Sequence, residues 1–223
     1  EQRPLDETLF AARLATALAG REAVFDRPFY RLVYGDSDTL PGIVIDRFGD
    51  YLVVQFNNEG IERHRDSLLA ALTAQLQPRG ILLRGDSRSR REQGLAGGAE
   101  VVHGEVPEQV ELEENGVRFL APVHAGQKTG WFYDHRMSRA RLAAWVRGKS
   151  VLDVYSYIGG WGVQAAAFGA TDVCCLDSSA VALEGVAANA RLNGLQDCVT
   201  TLRGSAPETM ADLRARGRQY DVV

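Results

Sequence analysis

Beyond Gly130 the chain alternates strand and helix, and this alternation constrains the fold more than any other feature. A helix, "SRARLAAWVRG" (138–148), leads to a strand, "SVLDVYS" (150–156), a glycine-rich turn, "YIGGWG" (157–162), and a helix, "VQAAAFGA" (163–170). There follow a strand, "DVCCLDSS" (172–179), a long helix over about 180–192, a strand, "CVTTLR" (198–203), a helix over 207–216, and a strand opening at "YDVV" (220–223). Strands joined through helices pair in parallel, and the helices cover both faces of the sheet. The expected fold class is therefore α/β, a Rossmann-like, doubly wound sheet of which the first four strands are present.

The chain ahead of Gly130 has another rhythm. Residues 5–24 place Leu9, Phe10, Leu14, Ala17 and Leu18 at a helical period that ends near Gly20. "FYRLVYGD", "GIVID" and "YLVVQF" read as strands, with Phe48-Gly49-Asp50 turning between the last two. "IERHRDSLLAALTAQL" is an amphipathic helix, "GILLR" a strand, and the polar, glycine-rich stretch 86–99 a loop. "QVELEENGVRFLAPV" is a hairpin whose Asn115-Gly116 pair suits the positive φ angles of a two-residue turn. The expected organisation is an N-terminal helix and linker (1–27), a central α+β domain with an antiparallel sheet (28–121), and the first part of the Rossmann-like domain (122–223).

No apolar run approaches the roughly 20 residues that a membrane span needs, and no signal-like segment opens the chain. Three cysteines, with no Cys/His spacing that suits a metal, fit a reducing cytoplasm, and no metal site is expected. The net charge of −4 gives no global attraction to nucleic acid, so any such binding rests on local patches. The chain starts without Met and stops at an uncapped apolar run, which reads as a piece of a longer protein. A sheet edge left open there could support a homodimer.

In an open parallel sheet, ligands sit beyond the carboxyl ends of the strands. Asp153 lies near the end of the first of these strands, and Asp177 closes the second. A carboxylate at the second position can take two charge-assisted hydrogen bonds from a ribose diol. Gly159, Gly160 and Gly162 let the backbone approach a ligand. The pattern calls for an adenosine-type cofactor. A dinucleotide brings a pyrophosphate, which favours a G-x-G-x-x-G turn without a carboxylate beside it. S-adenosylmethionine brings an ammonium and a sulfonium, which a strand-end acid favours. The turn here reads Y-I-G-G-W-G behind Asp153, so methyl transfer is the preferred reading.

These residues, with "GQKTGWFYDHR" (126–136) upstream and "YGDSDTLPGIVIDRFGDYLVVQF" (34–56) further back, resemble the class I methyltransferases of bacteria and archaea that act on large-subunit ribosomal RNA. Within these, the group forming 5-methylcytosine is the most similar, over roughly residues 28–223. The resemblance implies that Gln127, Lys128, Thr129, Asp134 and Arg136 line the cofactor pocket. It places the methionine end on Tyr155, Ser156, Gly159 and Gly160, and the ribose on Asp177 and Ser178. The chain departs from the pattern at Tyr133, at His135 and at Ser205, where the family carries an Asp that accepts from the adenine amino group. The resemblance also implies an Asp-Pro-Pro motif and a nucleophilic cysteine beyond Val223, and an RNA-binding module before Glu1. On that reading the 223 residues are a cofactor-binding core without the catalytic thiol.

Arg84, Arg88, Arg90 and Arg91 put four guanidinium groups on a strand end and loop, read either as a solvated loop or as phosphate contacts to ribosomal RNA. Cys174 and Cys175 on an apolar strand, and Cys198, read as packing residues. Two other readings stay open. One is a nicotinamide-dependent oxidoreductase. The other is a non-catalytic RNA-binding module in which the glycine turn is only a tight connection.

Overall fold

A computed structural model describes residues 4–85, 91, 92, 94 and 97–223. The chain divides into two compact units, Glu1–Leu112 with Ala121–Tyr133, and Glu113–Leu120 with Asp134–Val223.

In the first unit, helix α1 (Glu7–Glu22) begins where the Asp6 carboxylate accepts from the Leu9 amide at 2.9 Å. Its Phe10, Leu14 and Ala17 are buried, so this helix is part of the unit's core and not a separate linker over 1–27. Strands β1 (Phe29–Tyr34), β2 (Ile43–Phe48), β3 (Tyr51–Phe56), β4 (Gly80–Arg84) and β5 (Ala99–Gly104) form one sheet in that order. The pairing is antiparallel at three of the four junctions. β3 and β4 are parallel, because helices α2 (Glu59–Glu62) and α3 (Arg65–Leu76) make the crossover between them. Leu68, Ala71 and Leu72 of α3 join Phe10, Leu14, Leu32, Ile45, Leu52 and Ile81 in one apolar cluster.

Strands β6 (Val110–Glu114) and β7 (Val117–Ala121) form the expected hairpin, with Asn115 at φ 55° and Gly116 at φ 78°. The tip of this hairpin belongs to the second unit, so the boundary does not fall after residue 121.

In the second unit, β8 (Ser150–Val154), β9 (Asp172–Asp177) and β10 (Val199–Arg203) are parallel in the order β10-β9-β8. On the other side of β8, Val222 makes a parallel bridge to Val151, and the Leu152 amide donates to the Val222 carbonyl at 2.9 Å. The strand expected from "YDVV" is this short contact. It sets the strand order reversing at β8, which is where open α/β sheets bind ligands. Helices α4 (Arg136–Ala140), α5 (Gly162–Ala167), α6 (Ala180–Leu192) and α7 (Ala206–Ala215) complete the unit.

Consecutive residues of a strand point to opposite faces. Cys174 packs with Leu152, Leu176 and Ala206 on one face. Cys175 lies on the other, under α5, where a β-carbon on Gly162 would come within 2.4 Å of its sulfur. Both thiols are core residues, as the sequence implies.

Candidate cofactor site

Four backbone amides hold the connection from β8 to α5. The Ser156 amide donates to the Leu176 carbonyl of β9 at 3.1 Å, and the Gly159 amide to the Ser156 carbonyl at 2.8 Å. The Tyr157 amide donates to Asp177 Oδ2 at 2.9 Å, and the Gly162 amide to Asp153 Oδ2 at 2.8 Å. Tyr155 and Tyr157 take left-handed φ angles of 61° and 49°, a region costly for aromatic side chains, and Gly159 takes 85°. A β-carbon on Gly159 would lie 2.8 Å from Val163 Cγ2. Within this turn the Ser156 hydroxyl is buried and makes no hydrogen bond among the described residues. Tyr155, by contrast, is 73% exposed.

The two strand-end acids differ. Asp153 is buried, and that burial pushes its carboxyl up from 3.8 to about 7. The Gly162 amide and the Arg139 charge pull against the shift, while the Asp177 charge adds to it. Asp153 therefore closes the joint between β8 and α5. Asp177 is half-buried, and its two oxygens accept one amide each, from Tyr157 and from Ser179 at 2.9 Å. A carboxylate offers about four lone-pair directions, so two remain for a ligand. Ser178 is exposed beside it, and its carbonyl accepts from Arg203 Nε at 3.3 Å. Ser205 is exposed at the start of α7, and its hydroxyl makes no capping bond.

Asp134 is exposed and Arg136 half-buried at the head of α4. Gln127, Lys128 and Thr129 belong to the first unit. Gln127 and Lys128 are exposed, with Lys128 Nζ 4.4 Å from the centre of the Phe132 ring. Thr129 does not present its side chain to a ligand. It is fully buried, and its hydroxyl donates to the Asp46 carboxylate, which also takes two bonds of 2.9 Å from Arg31.

The arginine cluster needs a correction at Arg84. That side chain is buried, and its guanidinium donates to the carbonyls of Val123 and Gly126, leaving none of it for phosphate. Arg84 anchors the segment that leads into Gln127. Arg91 is exposed, and Arg88 and Arg90 lie outside the described residues.

Three polar contacts of the second unit are not evident in the linear sequence. Glu114, fully buried, accepts from Arg139 at 2.6 and 3.0 Å and from the Gln164 amide at 2.9 Å. Gln164 in turn accepts from Asn115 at 2.8 Å, which ties α5 to the hairpin tip and α4. On α6, Asn189 accepts from the Leu120 amide and donates to the Ile158 carbonyl of the glycine turn, at 2.8 and 2.9 Å. The spacing of Asn189 and Asn193 on one helix face is the signal that could have pointed to this brace. Among the described residues, no group of His, Cys, Asp or Glu could hold a metal ion, and no helix is long and apolar enough to cross a membrane.

A parallel sheet that reverses order at β8, with a glycine turn on one strand and an acid closing the next, defines a Rossmann-like nucleoside-cofactor binder. The profile of the S-adenosylmethionine-dependent methyltransferases matches residues 59–223, and the chain belongs to that family. It is 38% identical over 228 residues to the ribosomal RNA large subunit methyltransferase I of Shewanella denitrificans, covering 100% of this chain and 57% of that protein. The protein of the same name from Vibrio cholerae is 36% identical over 230 residues, covering 100% and 58%. The chain thus spans less than two thirds of the length of these relatives. A solved methyltransferase complexed with SAH superposes with a TM-score of 0.88 at 24% identity, covering 100% of this chain and 58% of that one. The tRNA m1G37 methyltransferase of Methanocaldococcus jannaschii does so at 0.61 and 18%, covering 89% and 54%. At these identities the superpositions speak to fold.

Proposed function

We propose that this chain binds S-adenosylmethionine between the glycine turn and Asp177, in the service of methyl transfer to large-subunit ribosomal RNA. The observation that carries the reading is the Ser156 hydroxyl, a buried polar atom without a partner inside a strained turn. Such an atom costs free energy unless a ligand satisfies it. In this reading Ser156, Tyr155, Gly159 and Gly160 hold the methionine end. Asp177, with Ser178 beside it, takes the ribose hydroxyls on its two remaining lone-pair directions. The exposed side chain of Val181, in the first turn of α6 just beyond Asp177, offers apolar surface to an adenine. Asp134 and Arg136, of the same unit, are proposed to complete the pocket. Bound there, the cofactor supplies a methyl group on sulfonium, and the sulfur keeps the electron pair when a nucleophilic carbon takes the methyl.

The turn disfavours a dinucleotide. A pyrophosphate is repelled by carboxylates, and here Asp177 and Asp153 sit on the turn, accepting from the Tyr157 and Gly162 amides. The relatives' name supports ribosomal RNA as the substrate class. Cytosine C5 is the proposed target carbon, and it becomes nucleophilic only after a thiolate adds at C6. None of the three thiols is set up for that addition. Cys174 packs in the core under α7. Burial pushes the Cys175 thiol far up and the Cys198 thiol up. The 223 residues are accordingly expected to bind the cofactor without methylating cytosine.

Isothermal titration with S-adenosylhomocysteine tests the binding. Saturable binding, weakened at least tenfold by Asp177→Ala, is expected from the loss of charge-assisted bonds. No heat at millimolar ligand, or tighter binding of NAD, overturns the proposal.

A further inference from the structure

From His135 to Leu152 the chain holds Arg136, Arg139, Arg141, Arg147 and Lys149 and no acidic residue, although the whole chain carries a net charge of −4. This stretch is α4, a 3-10 turn (Arg141–Ala144), and a further turn in which the Trp145 and Val146 amides both donate to the Leu142 carbonyl. Its two sides are unlike. Arg139 and Val146 are buried, and Leu142 is half-buried. Met137, Arg141 and Trp145, each four residues apart, face outward, with Met137 63% and Trp145 72% exposed. Arg147 and Lys149 are exposed just beyond. Lys149 is drawn toward Asp221, 3.8 Å away, while Arg141 and Arg147 make no ion pair or hydrogen bond among the described residues.

An indole left almost fully in water between two unpaired guanidinium groups is a stacking platform flanked by phosphate ligands. That is the chemistry with which proteins hold single-stranded nucleic acid. We propose that Met137, Arg141, Trp145 and Arg147 form a docking surface for a single-stranded segment of the RNA substrate, with a base stacked on Trp145 and neighbouring phosphates on Arg141 and Arg147. The inference rests on the proposed reading that the substrate is RNA. Charge decides against the other occupants. A two-fold dimer through this face sets its cations against an identical cationic face. A membrane-surface anchor needs a continuous apolar face, and here Arg141 separates Met137 from Trp145.

The test uses a fluorescein-labelled ten-nucleotide single-stranded oligoribonucleotide, with binding read by fluorescence polarisation. Trp145→Ala is expected to weaken binding about tenfold, and Trp145→Phe to hold it within about threefold. The Arg141→Ala/Arg147→Ala double variant should lower the slope of log affinity against log salt by about 1.4, two single-strand phosphates' worth. S-adenosylhomocysteine titrations should be the same for all of these chains, since none of the altered residues lies in the proposed pocket. Wild-type affinity in Trp145→Ala, or no binding of the oligonucleotide by the unaltered chain, overturns this surface and leaves the cofactor reading standing. Failure of the unaltered chain to bind S-adenosylhomocysteine is the separate failure of that reading. Sedimentation showing a dimer that Trp145→Ala dissolves also overturns it, in favour of a contact between copies.

Discussion

Replacing Asp153 with asparagine should change how the stability of the chain depends on pH. Burial holds the native carboxyl at about 7 against an ordinary 3.8, with the Gly162 amide and Arg139 opposing the shift and Asp177 adding to it. As pH rises above about 4, the unfolded chain releases this proton and the folded chain keeps it. Stability must then fall through the window between the two values and level off above about 7. At 1.36 kcal/mol per unit, the fall between about pH 4.5 and about pH 7.5 amounts to ~3 kcal/mol. Asparagine can keep the bond from the Gly162 amide and has no proton to lose. Urea unfolding of both chains across that range should therefore show stabilities that converge at the acid end and diverge by ~3 kcal/mol toward neutral pH, the Asp153→Asn chain falling less. Other titrating groups cancel in the difference. A carbon-13 titration of the Asp153 carboxyl gives the same quantity directly. An inflection below about pH 5, or parallel stability profiles for the two chains, refutes the assignment of a buried, half-neutral acid at this joint.

Glu114→Gln leaves the Arg139 guanidinium buried without its counter-charge and should cost about 3–5 kcal/mol in urea unfolding. The Glu114→Leu/Arg139→Met double variant should recover most of that, and strictly additive losses refute the pairing. Ser205→Asp adds, at the start of α7, a carboxylate that can accept from an adenine amino group, and S-adenosylhomocysteine should bind several-fold tighter by calorimetry. An unchanged affinity would show that position 205 does not reach the adenine.

The second unit was legible because its information is local. Strand, turn and helix follow one another at short range, and a parallel sheet is what such alternation packs into. The Asn115-Gly116 turn and the two core cysteines could be read for the same reason, from one pair and one strand. The misreadings sit where a side chain's partner is remote in sequence. Arg84 looks like the start of a basic loop until its guanidinium meets carbonyls 39 and 42 residues away. Thr129 sits in an exposed-looking Lys-Thr-Gly stretch, yet its hydroxyl is donated to Asp46, 83 residues back. Glu114, Arg139 and Gln164 belong to three elements, and no periodicity announces that they share one buried contact. The β3–β4 pairing is parallel, and not antiparallel like the rest of the sheet, because helices lie between those strands in the chain.

The glycine turn is the place where local preference and structure disagree, and the disagreement points to function. Two tyrosines in left-handed conformations cost about 1–2 kcal/mol each, which the turn's own sequence does not offset. What holds them is outside the turn. The Ser156 amide is fixed to β9, the Tyr157 amide to Asp177, the Ile158 carbonyl to Asn189, and the next helix to Asp153 through Gly162. The two acids thus divide the work. Asp153 gives up exposure, and much of its charge at neutral pH, to lock the joint. Asp177 spends half of its acceptor capacity on the turn and keeps the rest. The conformation so enforced leaves the Ser156 hydroxyl buried and unmet, a feature with no structural use in the folded chain alone. Strain over-determined by its surroundings, ending on an unsatisfied polar atom, is what a site prepared for a ligand requires.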